Sequence, residues 1–112
     1  MLPKPHRLTK EKDFEKVYKK GKFFVQNFLM CRILKNSFKI SRFGIVIGTK
    51  VSKKATKRNK VKRRLREAIR LKLNKIKKGF DILIMVKPEI VDKDYHEIDK
   101  VLISLLKKAR LL

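Results

Sequence analysis

Residues 52–67 read SKKATKRNKVKRRLRE, and nine of the fourteen residues 53–66 are Lys or Arg. Apolar residues within and after this stretch recur at intervals of three and four, which is typical of one buried face of an amphipathic helix. These apolar residues are Val61, Leu65, Ala68, Ile69, Leu73 and Ile76. The spacing therefore predicts a helix over residues 55–78, packed against a core along one face and ended by Gly79.

The face opposite the apolar stripe carries guanidinium groups and an amide. At about 100° per residue, Asn59, Arg63, Arg66 and Arg70 fall within roughly 60° of one another. Arg offers a rigid fork of donors that matches phosphate oxygens, and Asn can contact a sugar or a base edge. A merely solvated helix usually interleaves acids with its bases, but Glu67 is the only acid in the predicted helix. The pattern therefore favours nucleic-acid binding.

Length and charge bound the class of protein. The 112 residues form a single domain, 1–112, with a modest core, and the net charge of +23 implies an anionic partner. The 43% hydrophobic content argues against a disordered basic tail. The N-terminal residues contain no apolar run suited to a signal peptide, and the aliphatic run at residues 82–86 is too short to span a bilayer. We therefore expect a cytoplasmic location.

The remaining segments predict an α+β sandwich in the order α-β-β-α-β-α, with a central sheet packed by helices. Thr9 is a suitable cap for the first helix, Gly21 for its end, and Asp92 or Asp94 for the start of the last helix. Pro88 ends the third strand. The predicted segments are a helix at residues 9–20, antiparallel strands at 22–34 and 43–51, the basic helix, a strand at 80–87 and a C-terminal helix.

No active site is evident in the chain. His6 and His96 are its two histidines, lie 90 residues apart and are not expected to form a catalytic pair. The acids Asp92 and Asp94 suit the start of a helix better than a metal site. No glycine-rich phosphate loop exists either. We therefore predict no catalytic residue and no metal ligand in the protein itself.

Two aromatic residues of the first helix have two possible roles. Phe14 and Tyr18 lie four residues apart on one face, where they could stack on the bases of a single strand or pack into the core. Spacing alone favours core packing. The lone Cys31 lies among apolar residues, and we expect it to be a buried thiol.

Taken together, these segments resemble the protein subunit of bacterial ribonuclease P. The most specific match is KRNKVKRRLREAIR at residues 57–70, which is similar to the family's basic signature helix and opens with Arg58, Asn59 and Lys60. Lys60 departs from the usual Arg and loses its bidentate fork. Supporting matches cover nearly the whole chain and comprise Arg7, Leu8, Asp13, Phe14, Gly21 and residues 43–54 and 79–86.

The resemblance implies that a catalytic RNA with bound Mg²⁺ removes the 5′ leader from precursor tRNA, while the protein binds that RNA and holds the leader in a cleft. It also implies a left-handed crossover between parallel strands. The residues expected to bind RNA are Lys53, Lys54, Lys57, Arg58, Asn59, Lys60, Lys62, Arg63, Arg66 and Arg70. Those expected to bind the leader are Phe14, Tyr18, Phe28 and Cys31, where Cys31 takes the place of an aromatic residue on the facing strand.

Other classes of protein share part of this pattern. A ribosomal or architectural RNA-binding protein would have the same charge, size and α+β plan but no role in leader removal. A DNA-binding protein is less favoured, because no recognition-helix motif suited to the major groove is present. An autonomous ribonuclease is least favoured. Charge alone does not distinguish these classes, because phosphate attraction is independent of sequence.

Overall fold

The computed structural model describes residues 2–112 and contains three helices and one four-stranded mixed sheet in this range. The elements are α1 (Glu11–Lys20), β1 (Lys22–Gln26), β2 (Leu29–Lys35), β3 (Arg42–Val46), α2 (Ala55–Arg70), β4 (Phe80–Val86) and α3 (Tyr95–Lys108). Short 3₁₀ turns occupy Lys4–His6 and Pro88–Asp92. The predicted α+β class is confirmed, with one strand more than expected.

The strands lie in the order β1-β2-β4-β3. β1 and β2 form an antiparallel hairpin, β2 pairs antiparallel with β4, and β3 pairs parallel with β4. α2 lies between β3 and β4 in the chain, so β3, α2 and β4 form a βαβ unit. The left-handed crossover implied by the family resemblance concerns this unit and stays a prediction.

The predicted strand at residues 22–34 is divided in two. Its turn consists of Asn27 and Phe28, and Asn27 has a φ of 51°, a left-handed conformation that Asn tolerates better than most residues. The predicted antiparallel pairing of this segment with residues 43–51 is wrong, because β4 lies between β2 and β3. Alternation of apolar residues indicates which face of a strand is buried, but it does not identify the neighbouring strand.

α2 ends at Arg70, eight residues before the predicted end. Beyond it the chain turns through hydrogen bonds between residues three apart, such as Lys72 N to Ile69 O and Lys75 N to Lys72 O. Ile76 is nevertheless buried, as its spacing suggested. These turns bring Ile76 into the core and leave Leu73 half-buried, so the apolar spacing overestimated the length of α2.

The residues predicted to cap the helices are confirmed in part. Asp94 caps α3 and forms a capping box with Glu97, as expected. Thr9 does not cap α1, because Lys10 occupies the N-cap position. Gly21 follows α1 in an extended conformation, and a Cβ there would lie 2.5 Å from the Val17 carbonyl oxygen. Close approach of the backbone, rather than a left-handed cap, therefore requires this glycine.

Two apolar layers lie on opposite faces of the sheet. α2 and α3 cover one face over the main core, which includes Leu65, Ile84 and Leu102. The shorter α1 packs on the other face through a small cluster around Val17 and Leu83. Among the described residues, no helix is long and apolar enough to cross a membrane. α1 does not cover its whole face of the sheet, because Phe23 and Val46 on that face remain about half exposed.

Candidate nucleic-acid interface

The outward face of α2 is cationic along its whole length. Val61, Leu65 and Ile69 are buried against the core, and this fixes the opposite face toward solvent. We call this exposed side the α2 surface, and among the predicted RNA-binding residues it presents Lys57, Asn59, Lys60, Arg63 and Arg70. Lys53 and Lys54 are exposed in the segment that leads into it.

Some of the cations of α2 also have partners within the protein. Arg58 donates to the Ser52 carbonyl oxygen at 2.7 Å and so fixes the segment before α2. Arg70 pairs with Glu67, and the hydrogen bond from Arg70 lowers the pKa of that carboxyl group. The strongest candidates for RNA contact are therefore the exposed residues in the middle of the helix.

The half-buried Lys62 and Arg66 lie on the side of α2 nearest the N-terminal segment. They line a groove of about 310 Å³ together with Arg7, Phe14 and Gly44. Arg7 is held there by its Nε, which donates to the Leu2 carbonyl oxygen at 2.8 Å. The groove joins α2 to the opposite side of the sheet, so a polyanion on α2 has a cationic path toward α1.

A concave surface lies between α1 and the open part of the sheet. Phe14 of α1 packs on β3 at Gly44, where an added Cβ would come within 2.5 Å of the Phe14 ring. Tyr18, one turn later, is 57% exposed. A hollow of about 270 Å³ lies beside these rings, and its lining includes Val46 and Leu83. Phe14 thus packs against the sheet and also lines the hollow, whereas most of the Tyr18 side chain is exposed to solvent.

Arg32 of β2 extends this hollow toward the edge of the sheet. Its guanidinium carbon lies 4.8 Å from the centre of the Tyr18 ring and 5.0 Å from that of Phe23. Both distances are within the range of cation–π attraction. The Arg32 Nε is buried and has no hydrogen-bond partner among residues 2–112. We call the surface formed by Phe14, Tyr18, Phe23, Arg32 and Val46 the cleft.

Two of the predicted leader-binding residues are buried on the side of the sheet away from the cleft. Cys31 is fully buried and Phe28 is 5% exposed, and both belong to the core on the α2 and α3 side of the sheet. Burial raises the pKa of the Cys31 thiol to about 12. Successive residues of a strand point to opposite faces, so Arg32, next to Cys31, is the residue of β2 that faces the cleft. The pairing of Phe23 with Arg32 adds an aromatic residue that the sequence analysis missed.

An ion-pair network fixes α1 on the sheet. Arg42 of β3 holds Asp81 of β4 through two hydrogen bonds of 2.9 and 2.7 Å, and reaches Asp13 of α1 at 3.3 Å. Asn36 adds a donor to Asp81 at 2.9 Å. The hydrogen bond to Asp81 is the main reason that the pKa of Arg42 is raised. The network sets the position of α1 and hence the shape of the cleft.

Candidate groups for catalysis or metal binding are dispersed. His6 Nδ1 lies 2.8 Å from the Ser41 carbonyl oxygen beside β3, and His96 lies near the start of α3, where its ring meets that of Tyr95 edge to face. Within residues 2–112, no group of three His, Cys, Asp or Glu side chains could hold a metal ion. The described side chains therefore offer no cluster of three or more such ligands that would hold Mg²⁺ without the RNA.

A cationic helix and an aromatic cleft on a small α+β domain are typical of an RNA-binding protein. The chain belongs to the ribonuclease P protein family, because the Ribonuclease P family model matches residues 2–110.

Relatives and solved structures agree with this assignment. The chain is 40% identical to the ribonuclease P protein component of Clostridium botulinum (strain 657 / Type Ba4), over 95% of this chain and 96% of the relative. It is 28% identical to a Staphylococcus aureus RNase P protein mutant with defective mRNA degradation activity, with a TM-score of 0.91 over 97% of this chain and 92% of the other. The RNase P protein of Thermotoga maritima is 35% identical, with a TM-score of 0.83 over 91% and 96%.

Proposed function

We propose that this chain binds the catalytic RNA of ribonuclease P through the α2 surface and holds the 5′ leader of precursor tRNA in the cleft. As a member of the ribonuclease P protein family, it acts as the protein subunit of the endoribonuclease that matures the 5′ end of tRNA. Family membership does not favour the alternative of a ribosomal or architectural RNA-binding protein.

One observation supports separate roles for the α2 surface and the cleft. The cationic α2 surface and the aromatic cleft occupy different sides of one small domain and meet along the groove lined by Arg7, Lys62 and Arg66. Phosphate-rich folded RNA suits the first surface, because Lys and Arg neutralise backbone charge. Unpaired bases suit the second, because every base has a face that stacks on an aromatic ring or a guanidinium plane.

The protein contributes binding and electrostatics rather than chemistry. A domain with a net charge of +23 lowers the repulsion between two large polyanions where they meet. Less Mg²⁺ is then needed to screen that repulsion, and the substrate binds more tightly. We propose that Mg²⁺ is held mainly by the RNA, that hydrolysis takes place there, that DNA is not a partner, and that the complex works in the cytoplasm.

The test is cleavage of a precursor tRNA at low Mg²⁺ with the protein alone, with a bacterial ribonuclease P RNA alone, and with both. We expect efficient leader removal only with both. Cleavage by the protein alone would indicate a protein active site. Equal cleavage with and without the protein, although the RNA is competent at high Mg²⁺, would favour the architectural alternative.

A further inference from the structure

A second concave basic surface shares no lining residue with the α2 surface or with the cleft. It is a pocket of about 550 Å³ at the end of the sheet where β1 and β4 begin and β2 ends, beside the C-terminal end of α3. We call it the basal pocket. The α2 surface begins at the other end of the sheet, after β3 ends, so the proposed roles of α2 and the cleft do not account for this pocket.

The rim of the basal pocket is cationic. Half of its lining residues are Lys or Arg, and none of the described residues that line it is acidic. The six cations are Lys20, Lys22, Lys35, Lys77, Lys108 and Arg110. The Lys108 Nζ donates to the Val25 carbonyl oxygen at 2.9 Å, which directs this side chain toward β1. Such a concentration of one charge in a concave site attracts an anion more strongly than scattered surface lysines do.

The floor of the basal pocket is apolar and partly aromatic. Phe24 and Phe80 are half-buried and line the pocket together with Ile33 and Leu111. A site for phosphate alone needs no such floor. An aromatic floor within a cationic rim matches a nucleotide, whose base can stack or pack on the floor while neighbouring phosphates meet the rim.

The basal pocket is continuous with the end of α2. α2 ends at Arg70, and the turns that follow lead to Lys77, which lines the pocket. Lys75 and Lys78 are exposed in the same segment. The Lys77 backbone nitrogen also donates to the Leu111 carbonyl oxygen at 2.8 Å, which joins this segment to the C-terminus at the pocket floor. An RNA bound along α2 therefore has a cationic route into the pocket.

We propose that the basal pocket is a second docking site for the catalytic RNA, which places one unpaired nucleotide against Phe24 and Phe80 and its flanking phosphates on the lysine rim. This inference rests on the proposed function, since it assumes that the catalytic RNA is the partner of α2. It extends that function by giving the RNA two separate points of attachment, one on α2 and one at the base of the sheet.

The affinity test compares two double variants of equal charge. Lys22→Ala/Lys35→Ala removes two exposed rim cations, and the control Lys16→Ala/Lys100→Ala removes two exposed lysines of α1 and α3 outside the pocket. We expect the pocket variant to bind a bacterial ribonuclease P RNA about 10-fold more weakly at ~0.1 M salt, and the control less than about 2-fold more weakly. Equal losses in the two variants would overturn the proposal.

The second arm locates the RNA directly in the wild-type complex. The catalytic RNA is transcribed with 4-thiouridine, assembled with the protein and irradiated, and the cross-linked peptides are mapped by mass spectrometry. Cross-links at Phe24 or Phe80 are expected. Cross-links confined to α2, or pocket cross-links obtained only when the precursor tRNA carries the 4-thiouridine, would overturn the assignment. A wild-type protein that stimulates leader removal in the cleavage assay keeps the proposed function intact in either case.

Discussion

The α2 surface and the cleft differ in shape and in the kind of interaction that they offer to RNA. α2 is a convex cylinder with eight Lys or Arg in sixteen residues. The cleft is concave, and its main features are the rings of Phe14, Tyr18 and Phe23 around the guanidinium of Arg32. Attraction to phosphate falls steeply with added salt, whereas stacking on an aromatic ring changes little. A single protein can therefore bind a folded RNA by charge and a single strand by contact with its bases.

The largest effect, a loss of stability, is expected at the Arg42 ion-pair network that holds α1 on the sheet. Asp81→Ala leaves Arg42 half-paired in a partly buried site, so the free energy of unfolding should fall by about 3 kcal/mol. Thermal unfolding followed by circular dichroism measures this loss. Asp13→Ala is the matched control, because Asp13 makes one longer contact with the same Arg42, and it should cost under ~1 kcal/mol. Equal losses in the two variants would mean that the network does not centre on Asp81.

The next largest effect should fall on α2, at the α2 surface and at the groove beside it. Arg63→Ala/Arg66→Ala removes two guanidinium groups, and we expect binding of the catalytic RNA to weaken about 30-fold at physiological salt. The slope of log affinity against log salt should become shallower by roughly 2. Filter binding over a salt series measures both quantities, with Lys16→Ala/Lys100→Ala as the control of equal charge. Unchanged assembly of the Arg63 and Arg66 variant would remove the α2 surface from the proposal.

A smaller and salt-insensitive effect is expected in the cleft. Tyr18→Ala removes a ring that is mostly exposed, so the fold should be preserved while precursor tRNA binds to the holoenzyme about 10-fold more weakly. Mature tRNA, which lacks the leader, should bind as before, and Tyr18→Phe should restore most of the affinity. Equal losses for precursor and mature tRNA would contradict leader stacking. Phe14→Ala should show the same preference for precursor tRNA, with an added loss of stability because Phe14 packs on Gly44.

The smallest effect is the reactivity of the Cys31 thiol, on the face of the sheet opposite the cleft. Because burial raises the pKa of Cys31 to about 12 from an ordinary value of 9.0, the thiol should resist alkylation by iodoacetamide at pH 8 in the native protein. Stability from this group is complete below pH 9 and is lost as the pH rises toward 12, because the unfolded chain ionises first. Rapid alkylation without denaturant would show that Cys31 is accessible, as a leader-binding role for Cys31 requires.

The sequence predicted the outer layer of helices better than the sheet. The apolar stripe of α2 and the cap of α3 follow from local spacing, because residues three and four apart lie on the same side of a helix. Strand partners are set by contacts between distant residues, so the position of β4 between β2 and β3 was not available from local pattern. The same limit affected the cleft. The choice of Cys31 instead of Arg32 depended on which side of β2 faces α1, and one residue separates the two faces.

The attachment of α2 to the rest of the domain has a consequence for the kinetics of assembly. Arg58 holds the preceding segment at Ser52, Arg64 donates to the Lys93 carbonyl oxygen at 2.7 Å, and Lys72 pairs with Asp99 of α3 just after the helix ends. A basic peptide that folds on RNA loses conformational entropy as it binds, but this helix is already ordered. Association should therefore be limited by diffusion and electrostatic steering rather than by folding, and should show little of the heat-capacity change that accompanies coupled folding.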